Sequence, residues 1–116
     1  MFRTCITTFG PNMIHITFQT RTIAAAEKLA AYLMEQHLLL FPTIDTDHEE
    51  LKWENGQLYR ESQLLLQGMT KGLLYREVER AAYELLGTDL VRLHAVPVTH
   101  LDPHAQKTLL DQTAKV

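Results

Sequence analysis

Six histidines, at positions 15, 37, 48, 94, 100 and 104, are the residues of this 116-residue chain best suited to holding a metal ion. A neutral imidazole is the commonest protein ligand for Zn, Cu or Ni. His100 and His104 are four apart and would share a helical face, but Asp102-Pro103 lies between them and reads as a helix start. Solvated surface histidines are the alternative there. Asp45, Asp47, His48, Glu49 and Glu50 crowd a second stretch with the oxygen-rich groups that hard divalent ions prefer. The competing use of such a run is a charged, hydrated strand edge that discourages unwanted pairing.

Other reactive pairs are thinner. Cys5 and His15 would make a nucleophile and base only if the N-terminus folded back, so no catalysis is assigned to them. Gly68 and Gly72 flank Met69-Thr70-Lys71 at the end of a strand and the start of a helix, where open amides and the Lys71 ammonium would attract an anion. An ordinary helix start explains the same residues. The phosphate-loop, dinucleotide-turn, nucleophile-elbow and zinc-helix motifs do not occur. The chain reads as a non-enzyme.

Composition narrows the partners. Apolar residues are 46% and charged residues 22%, the balance of an ordinary folded domain, and the length suits one. Eleven Lys and Arg against fourteen Asp and Glu give a formal charge of −3, too little basic surface for nucleic acid. No apolar run approaches the roughly 18 residues of a membrane span. One cysteine cannot form an intramolecular disulfide, which fits a reducing compartment, and no leader is evident, so the expected location is cytoplasmic.

The elements that must position these side chains follow from periodicity. Residues 1–12 read as an N-terminal extension ended by Gly10-Pro11, with the domain over 13–116. Ile14, Ile16 and Phe18 alternate with His15, Thr17 and Gln19 in a strand over Met13 to Thr20. Thr20 or Thr22 caps a helix with an apolar stripe of Ile23, Ala26, Ala30, Leu33 and His37, ending near Leu38. Leu39 to Trp53 and Gln57 to Thr70 then form a hairpin about Asn55-Gly56, a pair that accepts positive φ. A second helix carries Leu74, Val78, Ala81, Ala82 and Leu85 and stops at Gly87. In the last strand, Leu90 to Val98, the residues Arg92, His94 and Val96 share a face, and Pro97 marks its end or an edge. Asp102-Pro103 starts a terminal helix that buries Leu109 and Leu110. The order is α+β, a ferredoxin-like βαββαβ unit with a long central hairpin and a C-terminal helix.

Length decides what the hairpin does. Strands of about 14 residues span about 46 Å, whereas a 16-residue helix covers about 24 Å. The Trp53 end therefore projects beyond the helices and exposes strand edges, which a second copy would cover. The alternative is a bulge between Asp45 and Glu50 that folds the arm back locally.

These residues resemble the CutA divalent-cation-tolerance proteins, which share a trimeric ferredoxin-like fold with the PII signalling proteins. The resemblance runs through Ile14-His15-Ile16-Thr17, Ala26-Glu27-Lys28-Leu29-Ala30, Trp53-Glu54-Asn55-Gly56, Glu61-Ser62-Gln63-Leu64-Leu65-Leu66, Thr70-Lys71, Val78-Glu79 and Ala95-Val96-Pro97-Val98. It covers roughly residues 13 to 110. It implies a homotrimer with clefts between subunits, near Trp53, Glu61, Lys71 and Arg92, and an association with divalent metal tolerance. Two segments depart from the pattern. The family's Ala-Ala-Cys-Val stretch is Leu39-Leu40-Phe41-Pro42 here, and its His-Pro-Tyr-Glu-Val-Pro stretch is Leu85-Leu86-Gly87-Thr88-Asp89-Leu90. The family thiol, histidine and tyrosine are therefore missing. No metal-ligand set is assigned, no cofactor is identified, and a divalent ion stays open as a ligand. The alternative function is a PII-like sensor that binds a small anionic metabolite or nucleotide through Lys71, Arg92 or Arg60.

Overall fold

A computed structural model describes residues 13–115. The expected extension, residues 1–12 with Cys5, lies outside them. Strand β1 (Met13–Thr20) alternates as its sequence requires, with Ile14, Ile16 and Phe18 buried. It sits between β3 (Gln57–Lys71) and β4 (Leu90–Pro97), and β2 (Leu40–Glu54) pairs with β3 outside it. All pairings are antiparallel in the order β2-β3-β1-β4, so β2 and β4 are the sheet edges. The fold is α+β and ferredoxin-like.

Helix α1 (Ile23–Glu35) starts where Thr22 Oγ1 accepts the Ala25 N–H at 3.1 Å, while the Thr20 hydroxyl donates to the Thr22 carbonyl. Its buried face is Ala25, Ala26, Leu29 and Leu33, which corrects the expected stripe. Ile23 is exposed in the first turn, and His37 lies beyond the helix. The helix also stops earlier than expected. His37 adopts a left-handed φ of 58°, letting its N–H bond the Met34 carbonyl and the Leu38 N–H reach the Leu33 carbonyl at 2.7 Å. Those two bonds close a Schellman turn that swings Leu38 and Leu39 into the core.

A 3₁₀ turn, Gly72–Leu74, leads into α2 (Tyr75–Leu86), which buries Val78, Ala82 and Leu86 and holds Ala81 and Leu85 at the rim. Gly87, at φ 54°, ends it. Helix α3 (Pro103–Gln112) is capped by Asp102, whose carboxylate accepts the Ala105 N–H at 3.0 Å. It buries Leu109 but leaves Leu110 exposed, correcting half of the expected pair.

Gly68 marks a tight point in the core. A Cβ built there would lie 2.6 Å from Leu39 Cγ. The side chain that would stand on β3 at this position is replaced by Leu39, delivered by the turn after α1.

Candidate functional site

The helices cover the face of the sheet that carries Ile14, Ile16, Phe18 and Leu66. Register places His15, Thr17 and Gln19 of β1, Gln63, Leu65, Gln67 and Met69 of β3, and Arg92, His94 and Val96 of β4 on the opposite face. This open face holds the most connected polar group among the described residues.

Its centre is Arg92. One guanidinium nitrogen lies 2.9 Å from Glu50 Oε1 and the other 3.2 Å from Oε2, a bidentate clasp. The first also donates to Gln19 Oε1 at 3.0 Å, and the Gln19 amide donates in turn to Glu50 and to Gln63 Oε1. The Gln63 amide passes the chain to Glu61 Oε1 at 2.6 Å, and Lys52 Nζ closes it 3.2 Å from the same oxygen. Gln63 keeps 2% of its surface exposed and Gln19 keeps 6%, so both amides depend on these partners.

Local irregularity makes this contact possible. Arg92 and Glu50 stand on the two opposite edge strands, yet β1 ends at Thr20 with a slip in its pairing to β4. Strand β2 is bulged between Asp45 and His48, where Asp45 Oδ1 accepts the Asp47 N–H at 3.0 Å. The Arg92 guanidinium, followed by the Gln19 amide, lowers the Glu50 pKa below its ordinary 4.5. Lys52, then Gln63, does the same for Glu61. Both carboxylates are held ionised and paired.

Beyond the ends of the helices, β2 and β3 stay paired to Glu54 opposite Gln57. The turn uses Asn55 at φ 53° and Gly56 at φ 73°, the two positive values that a tight hairpin needs. The bulge expected as an alternative is present, but it bends the arm without folding it back. On the arm Leu51 is 57% exposed, Trp53 72% and Leu58 55%, and Trp53 and Leu58 stand directly opposite each other. The longest axis of the molecule is 57 Å.

The four cleft residues expected from sequence occupy three places. Arg92 and Glu61 are joined through Gln19 and Gln63. Trp53 is at the arm tip. Lys71 is at the far end of β3, where its ammonium donates to the Ala114 carbonyl at 2.9 Å and to that of Thr113 at 3.4 Å. It pins the C-terminal segment, as does the Ala114 N–H, which donates to the His37 carbonyl at 2.8 Å. A groove of about 640 Å³ between Met34, His37, Leu39 and Leu40 and residues 111–115 runs beside this tether.

The acidic run is dispersed. Glu50 turns to Arg92 and Glu49 to Arg60 at 3.4 Å, while Asp45 accepts the Asp47 backbone N–H. Among the described residues no three His, Cys, Asp or Glu side chains gather as a metal ion would require. His100 precedes α3 and His104 is inside it, so they do not share a helical turn. Gln19 and Gln63 escaped sequence reasoning as functional residues. Each stands on a central strand at the register of the open face, where a glutamine reads as solvated surface.

No family model matches the chain, and no curated protein sequence matches it. Solved structures do. CutA1 from Ehrlichia chaffeensis, a divalent ion tolerance protein, superposes with a TM-score of 0.80 at 14% identity, over 90% of this chain and 98% of that one. The chain has the CutA1 fold. CutA1 from Oryza sativa gives a TM-score of 0.80 at 17% identity, over 90% of this chain and 95% of that one. A single-substitution variant of CutA1 from Pyrococcus horikoshii gives 0.78 at 20% identity, over 88% and 99%. Nearly the whole length of each CutA1 chain is matched, so the shared fold extends from the ferredoxin-like core to the long arm.

Proposed function

We propose that this chain is a non-enzymatic, trimeric CutA-like protein that acts by binding or regulation in the tolerance of, or response to, divalent metal ions. The observation that carries the reading is the arm. Two 15-residue strands project past helices of 13 and 12 residues and display Leu51, Trp53 and Leu58 to solvent. An apolar, unshielded ribbon of that kind is an interface, and a second copy of the chain satisfies it at no cost in specificity. The clefts between copies, near Trp53, Glu61, Lys71 and Arg92, are then the ligand sites. The lone cysteine supports a cytoplasmic location. No helix among the described residues is long and apolar enough to cross a membrane.

Thermal unfolding in the presence of Cu, Zn, Mn or Ca, each added alone, tests the metal association. A ligand at one hundred times its Kd stabilises by about 2.7 kcal/mol, a readily measured rise in Tm. A rise with one or more of these ions supports the reading. Stabilisation by nucleotides and by no metal would replace it with the PII-like alternative.

A further inference from the structure

Two walls enclose the groove beside the Lys71 tether. The end of α1 and the start of β2 supply Met34, His37, Leu39 and Leu40, and residues 111–115 stand opposite. The walls are joined by hydrogen bonds. The Ala114 N–H reaches the His37 carbonyl at 2.8 Å, and the Lys71 ammonium holds the carbonyls of Thr113 and Ala114. Thr113 is buried, and its hydroxyl donates to the Leu109 carbonyl at 2.7 Å, which anchors the second wall on α3. The cleft is therefore formed before anything enters it, and a preformed site loses less order on binding. Its volume of about 640 Å³ suits a small molecule, for which sites run from about 300 to 1,000 Å³.

The two walls differ in chemistry. Met34, Leu39 and Leu40 make the first apolar, and Met34, 49% exposed, carries a flexible thioether side chain that adapts to apolar ligands of varied shape. The second collects positive charge. Asp111 is paired with Lys107 at 2.8 Å, and the Lys107 ammonium, followed by those of Lys115 and Lys71, draws the Asp111 carboxyl below its ordinary 3.8. Three cations thus surround one carboxylate. Among the described residues Lys115 makes no ion pair, so its charge is left for a ligand.

We infer that this groove binds a small amphiphilic anion, an apolar chain bearing one carboxylate, with the chain along Met34, Leu39 and Leu40 and the head at Lys115. The site lies within one chain and goes beyond the metal and trimer readings, neither of which it requires. Apolar burial supplies the affinity, and the excess of lysines sets the sign of the head group. Other ligand classes fit less well. An inorganic anion would leave the apolar wall against water, and an apolar cation would meet the three lysines. A metal ion would find one imidazole, that of His37, and one carboxylate, that of Asp111, already paired.

Calorimetric titration of the intact chain at low salt tests this, with decanoate as the probe. Decylammonium supplies the same chain with the opposite charge, and acetate supplies the charge without the chain. Decanoate should bind at one site per chain, and both controls at least tenfold more weakly. Lys115→Glu and Met34→Glu, two substitutions at exposed positions, should each weaken decanoate binding at least tenfold while leaving the unfolding midpoint of the free protein in place. No saturable binding of decanoate, equal binding of decylammonium, or parental affinity in both variants would overturn the assignment. Binding gained only on deletion of residues 1–12, or only on dilution to single chains, would give the groove to that segment or to a second copy and overturn it as well. Each of these results leaves the metal and trimer readings standing.

Discussion

Arg92 on edge strand β4 clasps Glu50 on the opposite edge strand β2, at 2.9 and 3.2 Å, past the end of β1 and over β3. The pair closes the open face of the sheet at the base of the arm and holds Gln19 in place. Arg92 remains more than half exposed in the single chain, where such pairs contribute little to stability. Covering by a neighbouring copy would raise the contribution, because the same charges then interact with less solvent screening.

Acid should therefore loosen the base of the arm. Glu50 and Glu61 both have folded pKa values below their ordinary 4.5. A depressed carboxylate contributes stability that is complete above its unfolded pKa and is lost as pH falls through the folded one. Denaturant midpoints measured between pH 7 and pH 3 should fall below about pH 4.5, and less steeply in Glu50→Gln than in the parent chain. Equal slopes in the two proteins would show that the clasp does not couple to folding.

Gly68 is a packing prediction. Adding a methyl group in Gly68→Ala forces it against buried Leu39 at 2.6–2.7 Å, and overpacking of this kind costs about 1–3 kcal/mol. Removing the obstructing Cγ and Cδ atoms in Gly68→Ala with Leu39→Ala should make the double variant lose less stability than the sum of the two single substitutions. Urea unfolding at one fixed protein concentration measures both, and strict additivity of the two substitutions would contradict the contact.

Lys71 is a structural tether in the single chain. Replacing it in Lys71→Met removes the donor to the Thr113 and Ala114 carbonyls. Exchange of the Ala114 amide, bonded to the His37 carbonyl, should accelerate by about tenfold, a change of about 1.4 kcal/mol, with little change in the β1 amides. An unchanged Ala114 rate would show that the Lys71 ammonium does not hold the segment.

Much of the fold was legible because its signals are local. The alternation of Ile14, Ile16 and Phe18, the positive-φ pair Asn55-Gly56 and the Asp102-Pro103 cap each act within a few residues of themselves. The end of α1 was not. Its position depends on His37 taking a left-handed conformation that glycine usually fills, which composition does not announce. Arg92 was named from sequence, but its partner was not: Glu50 read as one of five acidic or histidine residues within six positions. Which of those faces Arg92 is set by the bulge between Asp45 and His48, and a one-residue difference there sends every later side chain to the other face. Gln19 and Gln63 went unnoticed for the same reason, since their importance lies in a contact between strands 44 residues apart.

The account depends on the arm belonging to an assembly, and native mass measures that most directly. At micromolar concentration the 13.3 kDa chain should appear as one species of about 40 kDa, three copies. Trp53→Ala, which removes the most exposed apolar side chain of the arm, should shift that population toward single chains without lowering the stability of the isolated domain. A single 13 kDa species for the parent protein would contradict the account.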